Sequence, residues 1–214
     1  MNLFAGENKT SARVTSLPQA SNTSLGESPL VSSHPETNPG PTGLLRYDYR
    51  SPRQLLPGDR SAAEQSYNRG VQAQRARRAQ EAIEAYRRAA DLDPSYFEAY
   101  YNLGLVETET GNIPMALVAY ESALAVRPES LDARYNFALG LKQTNYSLDA
   151  ANELERILVI YPKESRCHLV LGNLYAQQLR EPAKARLHYL KVLETDPRNP
   201  QAPAIRYWLA DNPK

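Results

Sequence analysis

Asn68, Asn102 and Asn136 recur at a step of 34 residues, each directly preceded by a tyrosine, Tyr67, Tyr101 and Tyr135. A carboxamide carries a donor and an acceptor, so an asparagine can pair with a peptide main chain whatever side chains that peptide bears. A tyrosine beside it offers flat contact area and loses little rotamer entropy on binding. This pattern supports recognition, not bond-making. Groups for catalysis do not converge in the sequence. His34 falls near the N-terminus, His168 and His188 fall on different helices, and no histidine pair stands at i,i+4 with a carboxylate, as a helical zinc site would need. There is no glycine-rich phosphate loop and no G-x-S-x-G elbow. The single cysteine, Cys167, leaves no internal disulfide and no cysteine-rich metal site; among Leu169, Val170 and Leu171 it reads as a small buried hydrophobe. Catalytic residues, a metal and a cofactor are not expected, and the chain is not expected to be an enzyme.

The elements that carry these residues follow from the same step of 34, which also separates Pro94, Pro128 and Pro162. A fixed period of this length marks one supersecondary unit stacked on copies of itself. The units run 63–96, 97–130, 131–164 and 165–199, the last with one extra residue. Gly70, Gly104, Ala138 and Gly172 align, as do Tyr86, Tyr120, Leu154 and Tyr189. Small residues at fixed points on a helix let a neighbour approach, and a ring or Leu fills the space beside the contact. Apolar spacing within a unit is helical, as in Ile83, Tyr86, Ala89 and Ala90. Ser61 with Glu64 and Ser95 with Glu98 read as capping boxes, and the recurring prolines stop each second helix. Breaks at Gly111-Asn112, Asn145-Tyr146 and Arg180-Glu181-Pro182 divide the units, giving eight helices in four antiparallel pairs. A ninth is expected over residues 200–210, with Asn199 as N-cap, Pro200 in its first turn and Trp208 anchoring it over the last pair.

Tyr101-Asn102-Leu103-Gly104, followed by Gly111, Ala116, Tyr120, Ala123 and Pro128, resembles the tetratricopeptide repeat family, and the likeness runs from residue 61 to about 210. Departures are Ser66, Arg69 and Arg77 in the first unit, and Leu179 with the insertion in the fourth. The resemblance implies an all-α fold, a right-handed superhelical α-solenoid of antiparallel helix pairs whose concave wall is formed by the first helix of each unit. Family geometry then places Tyr67, Asn68 and Arg75, then Tyr101, Asn102 and Leu105, then Tyr135, Asn136 and Leu139, and finally Arg166 and Asn173, on that wall. The implied function is a non-catalytic protein interaction module or adaptor that holds a peptide segment of a partner in the groove. Members that bind the acidic C-termini of chaperones clamp the carboxylate with Lys and Arg. Here those places hold Tyr67, Asp132 and Asn136, and the row Glu64, Glu98 and Asp132 disfavours an anionic tail. Arg166 is where an acidic group would sit. Two other roles are compatible with the sequence: a structural or assembly factor using the convex face or the ends, and an accessory subunit presenting substrate to a separately encoded enzyme.

The chain has 214 residues and a net charge of +1 with both signs interspersed, which argues against a nucleic acid partner. No apolar run reaches the roughly 20 residues needed to span a bilayer, and Met1 to Ser16 lacks the pattern of a secretory signal. A cytoplasmic monomer is the expectation. Residues 1–60 are rich in Ser and Pro and are expected to be a disordered tail ahead of a repeat domain at 61–214. The stretch Leu44-Leu45-Arg46-Tyr47-Asp48-Tyr49-Arg50 differs in kind, interleaving residue types favoured in binding hot spots. It is expected to lie over the first helix pair, or to serve as a linear motif for a partner or for the protein's own groove.

Overall fold

The computed structural model describes residues 38–39, 43–50 and 55–213, so most of the expected N-terminal tail lies outside the described residues. Among them are nine helices: α1 (Arg60–Arg75), α2 (Ala79–Leu92), α3 (Phe97–Glu109), α4 (Ile113–Val126), α5 (Leu131–Gln143), α6 (Ser147–Ile160), α7 (Ser165–Gln177), α8 (Pro182–Thr195) and α9 (Ala202–Asp211). They form an all-α solenoid of helix pairs, α1 with α2, α3 with α4, α5 with α6 and α7 with α8, each pair packed on the next. A short antiparallel ladder joins β1 (Asn38–Pro39) to β2 (Leu45–Arg46).

Each second helix ends two residues before its proline, at Leu92, Val126, Ile160 and Thr195. The turn inside each pair passes through a left-handed residue: Arg77 at φ 57°, Gly111 at 81°, Asn145 at 65° and Arg180 at 56°. Only Gly111 takes that conformation without a steric cost. In the first three turns the next N–H reaches back five residues, Arg78 to the Ala73 carbonyl, Asn112 to Glu107 and Tyr146 to Leu141, which closes the first helix with a Schellman turn. The fourth unit's extra residue is absorbed here, so that the Glu181 N–H reaches back six, to Tyr175.

Helix starts differ from the sequence expectation. Asp59, not Ser61, caps α1 by accepting from the Ala62 N–H. Ser95 donates to Asp93 and makes no cap, because Asp93 is buried and also gathers the Gly58 N–H and Arg60. Asn199 accepts from the Gln201 N–H, but α9 begins three residues later than Asn199, at Ala202.

The aligned small and large residues pack as the spacing predicts. A methyl group on Gly104 would stand 2.5 Å from Tyr120 Cε1, and Gly70 and Gly172 face Tyr86 and Tyr189 in the same way. In the third unit Ala138 and Leu154, both fully buried, replace the Gly and Tyr. At the C-terminal end Trp208 meets the Tyr189 ring edge-on at 5.0 Å, Ile205 is buried, and Arg186 donates to the Leu209 and Asn212 carbonyls, so α9 covers the last pair. Cys167 is fully buried, and burial pushes its thiol up to about 12. No described helix is long and apolar enough to cross a membrane.

Residues 45–50 do not lie over the first helix pair. They sit between the second helices of units two and three, where Tyr47 is buried against Phe137 and Tyr146 as part of the main apolar core. The first pair offers no equivalent receptor: Arg87 stands where α4 presents Glu121.

Candidate functional site

The Tyr-Asn dipeptides lie on first helices, and the structure ties them across unit boundaries. Asn102 on α3 donates from Nδ2 to the Tyr67 hydroxyl on α1 at 2.8 Å, and Asn136 on α5 donates to the Tyr101 hydroxyl at 3.3 Å. Each asparagine therefore reaches the tyrosine 35 residues earlier, one unit and one residue back. Bonding in this way commits an N–H of the amide and leaves its carbonyl oxygen; the Asn102 amide also lies within hydrogen-bonding reach of the Tyr86 hydroxyl. Tyr67 packs its ring on Tyr86 and Tyr96, and Tyr101 stacks on Phe97 at 5.7 Å. Tyr67, Tyr101, Asn102, Tyr135 and Asn136 are all half-buried, while Asn68, with no preceding unit among the described residues to bond, is exposed.

The remaining expected site residues divide. Leu105 and Leu139 are half-buried and pack against the core, and Arg75 is exposed in the last turn of α1. Asn173 points elsewhere: its Oδ1 accepts from the Tyr189 hydroxyl at 2.8 Å, which ties it to α8. Arg166 is exposed, but its guanidinium is bonded to Glu164 at 2.9 Å and lies over the Tyr135 ring at 5.1 Å. The Glu164 hydrogen bond raises the Arg166 pKa, so its charge is already matched and its suitability for an acidic ligand is reduced. In the acidic row, Glu98 is paired with Arg127 at 2.9 Å, and that guanidinium covers the Phe97 ring at 3.9 Å. The tyrosine ladder ends at the fourth unit, where Val170 stands in place of an asparagine.

Two constellations were not legible from spacing. His168 on α7 and His188 on α8 meet ring to ring, Nδ1 to Nδ1 at 3.0 Å, with His168 Nε2 bonded to the Pro162 carbonyl. One ring donates and the other accepts in that bond. Burial, with His168 alongside, lowers the His188 pKa to about 4. No group of three or more His, Cys, Asp or Glu that could hold a metal ion occurs among the described residues. The second constellation is the acidic slot holding residues 46–49, built from Glu121 on α4 and Asp149 and Glu153 on α6. Phe137 forms its floor, about 200° round α5 from Tyr135, so the slot opens away from the tyrosine rungs.

The family model described as tetratricopeptide repeat matches residues 97–130, the second unit with the bounds that its spacing gives. A second, described as TPR repeat, matches residues 78–107. The chain belongs to the tetratricopeptide repeat family. Solved tetratricopeptide repeat structures share its fold. MamA from Desulfovibrio magneticus is 21% identical, covers 73% of this chain and 87% of its own, and superposes with a TM-score of 0.62. A tetratricopeptide repeat protein from Parabacteroides merdae, 20% identical, covers 72% and 60% with a TM-score of 0.66. YrrB, described as a TPR protein with an unusual peptide-binding site, is 21% identical and covers 72% and 79% with a TM-score of 0.62. At these identities the likeness is one of fold. No curated protein matches the chain in sequence. Tetratricopeptide repeats are, in general, protein interaction modules, and that much applies to this chain.

Proposed function

We propose that this chain is a non-catalytic adaptor whose first helices form a groove for an extended peptide segment of a partner protein. The observation that carries this reading is the half-exposed state of Asn102 and Asn136, each with one N–H fixed on a tyrosine hydroxyl. A fixed amide is oriented in advance, so its remaining carbonyl meets a peptide main-chain N–H at little further entropy cost. Half-exposed Tyr67, Tyr101 and Tyr135 supply contact area beside it. YrrB, a protein of similar fold, has an unusual peptide-binding site. The partner is expected to be neutral or mildly basic where it crosses Glu64 and Asp132, both exposed.

Binding of a random peptide library to the full chain tests this. Asn102→Ala with Asn136→Ala should lower the affinity of selected peptides about tenfold, the effect of losing a pair of neutral hydrogen bonds. Tyr67→Phe, which breaks one rung but keeps the Asn102 amide, should leave affinity within about threefold. Unchanged binding in the double asparagine variant would sink the reading.

An assembly role through the C-terminal end is a second reading, favoured by Leu187, Leu190 and Tyr207, large side chains exposed at 59%, 47% and 78%. Sedimentation of the wild type and Leu190→Glu over a concentration range decides it. A concentration-independent monomer in both removes it.

A further inference from the structure

The three junctions between successive second helices are built on one plan, and the middle one lacks a part. Arg87, Glu121 and Glu155 stand at the same point of units one, two and three, 34 residues apart. At the first junction Arg87 meets Glu107 of the next unit at 2.6 Å, and at the third Glu155 accepts from the hydroxyl of Tyr175 at 2.5 Å. Glu107 and Tyr175 are themselves equivalent positions, and the residue between them in this series is Leu141, which brings no polar group. At the middle junction Glu121 accepts instead from the Tyr47 hydroxyl at 2.9 Å. A segment from outside the repeats thus supplies at one junction what the repeats supply for themselves at the other two.

That segment is held as a ligand is held. Asp149, fully buried, takes the Arg46 guanidinium through Nε at 3.1 Å and Nη2 at 2.8 Å, and also accepts from the Tyr47 main-chain N–H at 2.8 Å. Tyr49, two residues on and therefore on the same face of an extended chain, donates to Glu153 at 3.2 Å. Main-chain capture combined with receptors for alternate side chains is the logic of extended-peptide recognition. Apolar residues would suffice to fill a core gap. Here the buried Asp149 carboxylate takes its cationic and N–H partners from Arg46 and Tyr47, and half-buried Glu121 takes the Tyr47 hydroxyl. Glu153 is already paired with Arg134 and Arg156 of the repeats and receives only the Tyr49 hydroxyl in addition. The corresponding places in unit two are Met115 and Ala119, so the pair belongs to this junction.

We propose that the slot between α4 and α6 is a second peptide-recognition site, on the side away from the tyrosine rungs, specific for an extended Arg-Tyr-x-Tyr segment, and that residues 46–49 are its ligand held in cis. The partner it fits is a protein segment of the same pattern, which must displace the tethered copy. An Arg is required because its planar fork engages one carboxylate through two N–H groups, which Lys does not reproduce. This site is independent of the groove proposed above, and its test leaves the asparagines untouched.

The experiment uses the full chain carrying Arg46→Ala and Tyr47→Ala, which empties the slot, and a fluorescent peptide of sequence LLRYDYR, residues 44–50. The peptide should bind the emptied chain saturably and bind the wild type at least about tenfold more weakly, because the tethered copy competes at high effective concentration. Adding Asp149→Asn to the emptied chain, or changing Arg to Lys in the peptide, should each weaken binding about tenfold or more. If the emptied chain is poorly folded, the peptide should raise its melting temperature in a concentration-dependent way. No binding by a folded emptied chain, no peptide rescue of an unfolded one, or equal binding by the wild type would each overturn the proposal.

Discussion

Gly104→Ala is the sharpest probe of how this solenoid is packed. In an ordinary helix interior the change stabilises by about 1 kcal/mol through propensity. Here the new Cβ would lie 2.5, 2.6 and 2.9 Å from Cε1, Cδ1 and Cζ of Tyr120. Carbon atoms rest at about 3.5–4.0 Å, so the ring must retreat by roughly 1 Å. It has little freedom to do so, being 1% exposed and bonded through its hydroxyl to Thr108 at 3.1 Å. Overpacking of this kind costs about 1–3 kcal/mol, and with so rigid a ring the upper half of that range applies, which after the propensity gain leaves a net loss of about 1–2 kcal/mol and lowers Tm by a few degrees. Tyr120→Leu alone should cost about 2 kcal/mol through lost burial. The double variant recreates the Ala138 and Leu154 pair that unit three already uses. It should be no less stable than Tyr120→Leu, with a coupling of at least about 1 kcal/mol in the cycle. Urea unfolding followed by circular dichroism measures all four states. A neutral or stabilising Gly104→Ala, or strict additivity, would refute the argument that glycine is there to admit the ring.

Other substitutions read other parts of the molecule. Tyr47→Ala should destabilise by about 3 kcal/mol and half-exposed Tyr49→Ala by less than about 1.5, a ranking that thermal melts check directly. Burial lowers the His188 pKa from 6.5 to about 4, so its contribution is complete above pH 6.5 and is lost as pH falls towards 4; His188→Gln should flatten stability over that window. Glu121 runs the opposite way. Burial raises its carboxyl from 4.5 to about 7 against the Tyr47 hydroxyl and Arg50, which lower it, and Asp48, which raises it. Its contribution is therefore present below pH 4.5 and is lost as pH rises through 7, and denaturation of Glu121→Gln between pH 5 and 8 should show a shallower decline.

The period made the helix pairs and their close contacts readable, because every unit repeats the same local problem and solves it with the same residue types. Gly70 and Tyr86 are separated by one turn of chain, and their meeting needs no knowledge of the rest of the fold. The tyrosine and asparagine positions were readable too, but not that they bond each other, since Tyr67 to Asn102 crosses a unit boundary whose geometry spacing alone does not give. Asn173 occupies a groove position by register, yet the neighbouring Tyr189 hydroxyl claims its oxygen. Cap residues failed for a related reason: Ser95 is drawn to Asp93, which is buried by contacts with Gly58 ahead of α1 and Arg60 at its start. The place of residues 45–50 was hidden because its receptor is scattered over two helices, at Glu121, Asp149 and Glu153, and no local pattern unites those positions.

The bond between Arg46 and Asp149 joins positions 103 residues apart, whereas the repeats pack within a unit or on the next unit. A stack of repeats behaves almost as a one-dimensional chain, nucleating anywhere and growing by its neighbours. The 46–149 contact closes a long loop on that chain. Its receptor has two walls, α4 and α6, so the contact is expected to form only after both units have docked. Changes at Arg46 or Tyr47 should accordingly quicken unfolding while leaving the refolding rate nearly as it was. The segment acts as a latch on an assembled array, setting how long the middle of the solenoid stays closed and not how quickly it is built.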